Sequence, residues 1–326
     1  MTQSSRDDIR QVALEDKDLF FEKPTFPQLY VFFSFDLVNS TIYKNKQKEK
    51  WPIVFAQFYQ IIREEMKKEF QGIKVWKYIG DEVLFFKMLN SNEELFEIVH
   101  GSFKALTFTL EKLKNSFPDI FKPLSLKGTI WEAPVMPVIG EELEKLEMEK
   151  TQNIALDVVY ENQASLRDFM GPDIDIGFRI SKYAGKEKLV ISADLAYMLL
   201  KAQPPNKETK KKKNDLLQNL KIVSYEDLKG IWNDRYYPVN WYYKNWGKIK
   251  DTFEYDDRFK SKIINNVCLD QFDDLEELAK IFQQLNLKDE KDSLLKILKE
   301  SEKSAKEKAK EKAGKRIPVL TSDERR

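Results

Sequence analysis

The chain has 326 residues, 42% of them hydrophobic, and its Lys+Arg 55 against Asp+Glu 54 leaves a formal charge of +1. That length accommodates one mixed α/β unit of about 200–250 residues plus extensions, and the charge balance gives no global reason to expect a nucleic-acid or acidic-membrane partner. A single cysteine, Cys268, excludes an intrachain disulfide and suits a reducing compartment; with no apolar signal core at the start and no run of about 18 apolar residues, a cytoplasmic protein is expected.

Residues 1–28 are polar and end in Lys23-Pro24-Thr25-Phe26-Pro27, an extended lead-in because residues before proline avoid helix. The folded unit is expected over 29–246. It opens with the aromatic run LYVFFSFDLV, a strand by composition. From Pro52 to Phe70 the apolar residues Phe55, Phe58, Ile61, Ile62, Met66 and Phe70 recur at helical spacing, with Pro52 suited to the first turn. Ile73 to Ile79 and Val83 to Phe86 form the arms of a hairpin, and Asn92 to Asn115 repeats the helical pattern. A strand follows near Leu124 to Glu132. This order predicts an α+β fold with a ferredoxin-like βαββαβ core, its helices on one side of a largely antiparallel sheet. Residues 140–164 read as a charged, irregular insertion. Beyond it come a helix at Asp173 to Tyr183, a strand at Leu189 to Ser192 and a helix at Ala193 to Lys201. Pro204 to Asn214, with four consecutive lysines, reads as an exposed loop. Strands resume at Lys221 to Tyr225 and Tyr236 to Tyr243. Residues 247–326 are expected to be a helical, Lys/Glu-rich extension whose last part, SEKSAKEKAKEKAGKR, lacks an apolar face and reads as a solvated tail.

Two aspartates stand where strands end: Asp36 after the aromatic run and Asp81 at the hairpin tip. If those strands are neighbours, both carboxylates point at one spot, where two Mg2+ or Mn2+ ions could clamp a reacting phosphate. The residues after Asp36, Leu37-Val38-Asn39-Ser40-Thr41, offer backbone N–H groups and hydroxyls to phosphate oxygens. His100 has no metal-ligand companion and reads as an ordinary helix residue.

The segments FSFDLVNST, KYIGDEVLFF and GPDIDIGFRISKYAG, as an ordered set within Leu29 to Tyr243, resemble the class III nucleotidyl cyclase catalytic domain. The resemblance implies a homodimer with two shared sites. Each would combine metal ligands of one chain, Asp36, Asp81 and the Leu37 carbonyl, with base-reading and phosphate-binding residues of the other. It assigns Arg179 to the phosphate during ring closure and Lys229 to the β and γ phosphates, with Arg235 as a nearby substitute. Asp175 departs from the family, whose purine cyclases commonly carry asparagine there; it would orient Arg179 or bind ribose. The base-reading positions fall on Lys77 and Asp168, a donor and an acceptor suited to a base edge with one acceptor beside one donor. FSFDLVNST, Tyr78, GDE and DIGFR look like the pyrimidine cyclases of Pycsar antiphage defence, whose smaller base leaves room that Phe35 or Tyr78 would fill unless strand alternation sends both into the core. The resemblance therefore implies UTP, then CTP, as substrate, and a separate effector acted on by the product. An adenylyl cyclase and a non-catalytic nucleotide-binding module are the alternatives.

Overall fold

The computed structural model describes residues 27–118, 124–138, 153–159, 165–232, 235–244 and 273–314. The lead-in, Cys268 and much of the expected insertion lie outside them. Strand β1 (Gln28–Val38) is the centre of the sheet, antiparallel to β3 (Glu82–Met88) on one side and to β4 (Ser125–Val138) on the other. Strand β2 (Lys74–Ile79) closes the edge beside β3. The resulting order β4-β1-β3-β2 is the ferredoxin-like arrangement expected from the sequence. Past β4 the sheet continues through β7 (Leu189–Ile191), parallel to β4, then β9 (Tyr236–Tyr242), β8 (Leu220–Asp227) and β10 (Asp273–Asp274).

Alternation along β1 divides the core. Leu29, Val31, Phe33, Phe35 and Leu37 point to one face, where they join the buried residues of α2 (Trp51–Glu69) and α3 (Asn92–Ser116). Helix α1 (Ser40–Lys46) precedes α2. Tyr30 and Phe32 point to the other face and pack with Trp76, Trp131 and Phe169. That face is covered by the hairpin of β5 (Ile154–Val159) and β6 (Ser165–Met170) and by α4 (Pro172–Ser181). The sheet face opposite α2 and α3 is therefore partly roofed, and part of the expected irregular insertion is strand β5.

One further expectation is corrected. The lysine-rich stretch is helix α6 (Lys207–Asn219), not a loop, and it follows α5 (Ala193–Lys201). Asn206 and Thr209 form a reciprocal cap at its start, worth about 1 kcal/mol. Lys212 bridges Glu97 and Glu208, and Lys213 donates to the Leu200 and Ala202 carbonyls that end α5, so two of the four lysines are structural. The helical C-terminal extension also contributes to the core. Helices α7 (Leu275–Gln284) and α8 (Lys288–Gly314) put Leu275, Leu278, Phe282, Leu294 and Leu298 into the main core, and Tyr197 donates to Asp292 at 3.0 Å. The side chains of 302–307, by contrast, are mostly exposed, as their composition suggests.

Gly177 lets α4 lie flat on the sheet: a Cβ there would come within 2.1 Å of the Trp131 ring. Gly177→Ala is expected to lower unfolding stability in denaturant titration by roughly 1–3 kcal/mol through overpacking, despite alanine's better helix propensity.

Candidate active site

Asp36 lies opposite Glu82 in the β1–β3 pairing and opposite Lys127 in the β1–β4 pairing. Ile79 pairs with Glu82, so Gly80 and Asp81 form a two-residue turn, and Gly80 takes the positive φ of 64° that such turns need. The turn therefore stands at the Asp36 end of the sheet, and the two carboxylates, far apart in sequence, meet there. A hydrogen bond between them holds Asp81 down.

The electrostatics of the two differ. Burial, with Asp81 and Glu82 adding to it, pushes the Asp36 carboxyl from 3.8 up to about 7 against the pull of Lys127, whose Nζ is 3.1 Å away. For Asp81 burial also raises, but hydrogen bonds from Ser40 and Lys44 outweigh it, and the group ends below its ordinary value; Lys44 Nζ lies 3.2 Å away. Below neutrality the proton of the pair thus resides on Asp36. Glu82 accepts from the Ser34 hydroxyl. Beside Asp36 is a cavity of about 60 Å3, lined by Ser34, Asp36, Glu82, Lys127, Thr129 and Ser181 among others.

Among the described residues no three acidic, histidine or cysteine side chains gather as ligands for an ion. The donor set still fits a magnesium-type ion, which needs only one or two protein carboxylates when substrate phosphates and waters supply the rest. Burial, with Asp81 and Glu82 beside it, lifts Asp36 to about 7, and a divalent cation there would favour its ionised form.

The sequence-derived residues divide into those brought together and those not. Lys77 and Asp168 meet at 2.8 Å, although they are on different strands. Asp175 is exposed and Arg179 half-buried on α4, and neither forms an ion pair among the described residues. Phe35 belongs to the core, wholly buried and edge-on to Phe85, so it cannot line a ligand pocket. Tyr78 is 40% exposed but turns to α2, where it packs on Tyr59 and takes a hydrogen bond from Arg63, away from the Lys77–Asp168 pair. Ser40 is buried with its hydroxyl hydrogen-bonded to Asp81, and Thr41 is exposed. The side chain of Leu37 is buried, leaving only its backbone to face the site. Lys229 is exposed in the β8–β9 turn. The strand registers put that turn at the end of the sheet opposite Asp36, since Leu220 and Tyr242 share the Asp36 end and Asp227 and Tyr236 lie at the other. Arg235 donates to the Leu285 carbonyl. His100 contacts Tyr242, the Lys212 carbonyl and Asp215, a satisfied interior histidine as expected.

Lys44, Lys127, Glu82, Tyr59 and Trp76 are site residues that the sequence did not yield. For Glu82 a signal existed, because the residue after a hairpin-tip aspartate must face the neighbouring strand. Lys127 is recognisable only once the β1–β4 register is known.

In metal-free protein, a folded-state value raised to about 7 means that the fold favours protonated Asp36. Stability should then decline as pH rises from the unfolded value through about 7 and level off above it. Asp36→Asn should remove that slope and gain roughly 1–3 kcal/mol over the parent at pH 8 in denaturant titrations, less than the full shift because the group is partly exposed.

No protein-family model matches the chain, and no curated protein does. Similar solved structures include the adenylyl cyclase CyaB from P. aeruginosa, 13% identical over 69% of this chain and 97% of that one with a TM-score of 0.47. The guanylyl cyclase Cya2 is 12% identical over 66% and 90%, with a TM-score of 0.45. The guanylate cyclase domain of RhGC from Catenaria anguillulae, in complex with GTP, is 10% identical over 66% and 96%, with a TM-score of 0.44. At these values the likeness assigns no role to any residue.

Proposed function

We propose that the chain is a nucleotidyl cyclase that converts a pyrimidine triphosphate, UTP first and CTP next, to its 3′,5′-cyclic monophosphate and pyrophosphate. The observation that carries this reading is the meeting of Asp36 and Asp81 at one end of a ferredoxin-like sheet, with a donor–acceptor pair, Lys77 and Asp168, formed separately on β2 and β6. Asp36 and Asp81, with the Leu37 carbonyl, would hold two Mg2+ or Mn2+ ions. When bound, such ions lower the pKa of the ribose 3′-hydroxyl and neutralise the triphosphate. The 3′-oxygen then attacks the α-phosphorus in line, the bond to the pyrophosphate oxygen breaks, and the hydroxyl proton passes to solvent.

The site is shared between two copies of the chain. A cavity of about 60 Å3 beside Asp36 is far below the roughly 300–1,000 Å3 of small-molecule sites, so a triphosphate needs a second surface to close on it. Lys229, at the opposite end of the sheet, can serve the phosphates only from a partner, and Arg179 of the same partner would steady the developing charge, with Asp175 orienting it or binding ribose. Lys77 and Asp168 read the base. By this reading the product acts on a separate effector in antiphage defence. Adenine also presents one donor beside one acceptor to Lys77 and Asp168, so an adenylyl cyclase is the competing reading.

Purified protein incubated with each of the four nucleoside triphosphates and Mn2+ should release a cyclic pyrimidine nucleotide and pyrophosphate, identified by mass; cyclic AMP as the main product would replace this reading with its competitor. Asp36→Ala and Asp81→Ala should each reduce turnover by roughly 10³-fold or more. Mixed inactive Asp81→Ala and Arg179→Ala proteins should regain part of the activity through mixed dimers. Proven subunit exchange without that recovery would rule out the shared site.

A further inference from the structure

One indole ties both members of the Lys77–Asp168 pair. A β-bulge between Val75 and Lys77 interrupts the alternation of β2, and there the consecutive residues Trp76 and Lys77 both reach Asp168. Trp76 Nε1–H donates to Asp168 Oδ1 at 2.9 Å, Lys77 Nζ to the same oxygen at 2.8 Å, and the Phe169 N–H to it at 3.0 Å. The Lys77 ammonium also stands 4.2 Å from the centroid of the Trp76 ring. An indole N–H can only donate, so its direction is fixed. The ring is 4% exposed and wedged between Phe32, Phe169 and Phe178, with centroids at 5.4, 5.2 and 5.8 Å, and cannot turn without repacking its neighbours. With three donors on Oδ1, the other oxygen of Asp168 has no partner among the described residues.

We propose that Trp76 is a positioning residue that sets the base selectivity of the nucleotide site, by locking Asp168 through its N–H and Lys77 through its ring face. The inference rests on the cyclase reading for the identity of the ligand. The lock leaves one fixed acceptor, Asp168 Oδ2, beside the unspent N–H groups of Lys77, and so admits a base edge offering one donor next to one acceptor. Without the indole N–H only Lys77 and the Phe169 N–H hold Oδ1, the carboxylate is less firmly held, and discrimination falls.

The test is equilibrium binding of the four α,β-methylene nucleoside triphosphates with Mg2+, which reads selectivity without turnover. The parent protein should prefer one base by tenfold or more. Trp76→Phe should lose about tenfold of that preference, the worth of one charge-assisted hydrogen bond, while its affinity for the disfavoured bases stays the same. Replacing Trp76 by benzothienylalanine, which keeps the bicyclic ring and lacks the N–H, should do the same and covers the case in which the phenylalanine variant fails to fold. Because Trp76 acts through Asp168, introducing either Trp76 replacement into an Asp168→Asn protein should cost no further selectivity, whereas a packing role would make the losses add. An unchanged preference, additive losses, or equal parent affinity for all four bases would overturn the proposal. Selective binding by a parent protein that makes no cyclic product would remove the cyclase reading and leave Trp76 in its role.

Discussion

The antiparallel pairing of β1 with β3 is the constraint from which the site follows. Once Phe35 pairs with Val83 and Asp36 with Glu82, the two-residue turn before Glu82 has nowhere to go but the end of β1, and Asp81 comes with it. Like charges at about 4 Å cost on the order of 4 kcal/mol near a protein surface. Lys44, Lys127 and a proton on Asp36 offset that cost. What remains is carried by the register itself, because a one-residue slip would turn Phe33, Phe35 and Phe85, each worth about 1.5–3 kcal/mol when buried, out of the helix-facing core.

The other face of the same strands holds the Lys77–Asp168 pair. There the β5–β6 hairpin folds back so that Phe169 lies edge-on to Phe32, Trp76 and Phe86, which fixes where Asp168 can stand. The bulge in β2 then supplies two side chains to it where a regular strand would supply one. An aromatic cluster chosen for packing thus determines a hydrogen-bonding geometry.

Most of the scaffold was legible because its signals are periodic. The helices at Trp51–Glu69 and Asn92–Ser116 show apolar residues every third or fourth position, and the β2–β3 hairpin shows strand residues around Gly80-Asp81. Asp36 and Asp81 could be singled out because they stand where strands end, whereas Lys77 and Asp168 were named only through the resemblance. The failures occurred where the decisive partner was remote. The lysine run forms a helix because Glu97 and the end of α5 take Lys212 and Lys213, which composition cannot reveal. Phe35 and Tyr78 are next to site residues in sequence, but the pleat sends them to the helix side.

Helix α8 packs against β1, with Leu294 and Leu298 closing the core over the strand that bears Asp36. During translation β1 (Gln28–Val38) leaves the ribosome long before its cover in α8 (Lys288–Gly314) has been made. At about 5–20 residues per second, the interval between the two is on the order of 10–50 s. For that time β1 has an incomplete sheath, and a nascent chain halted early would carry the acidic pair without the packing that holds it steady.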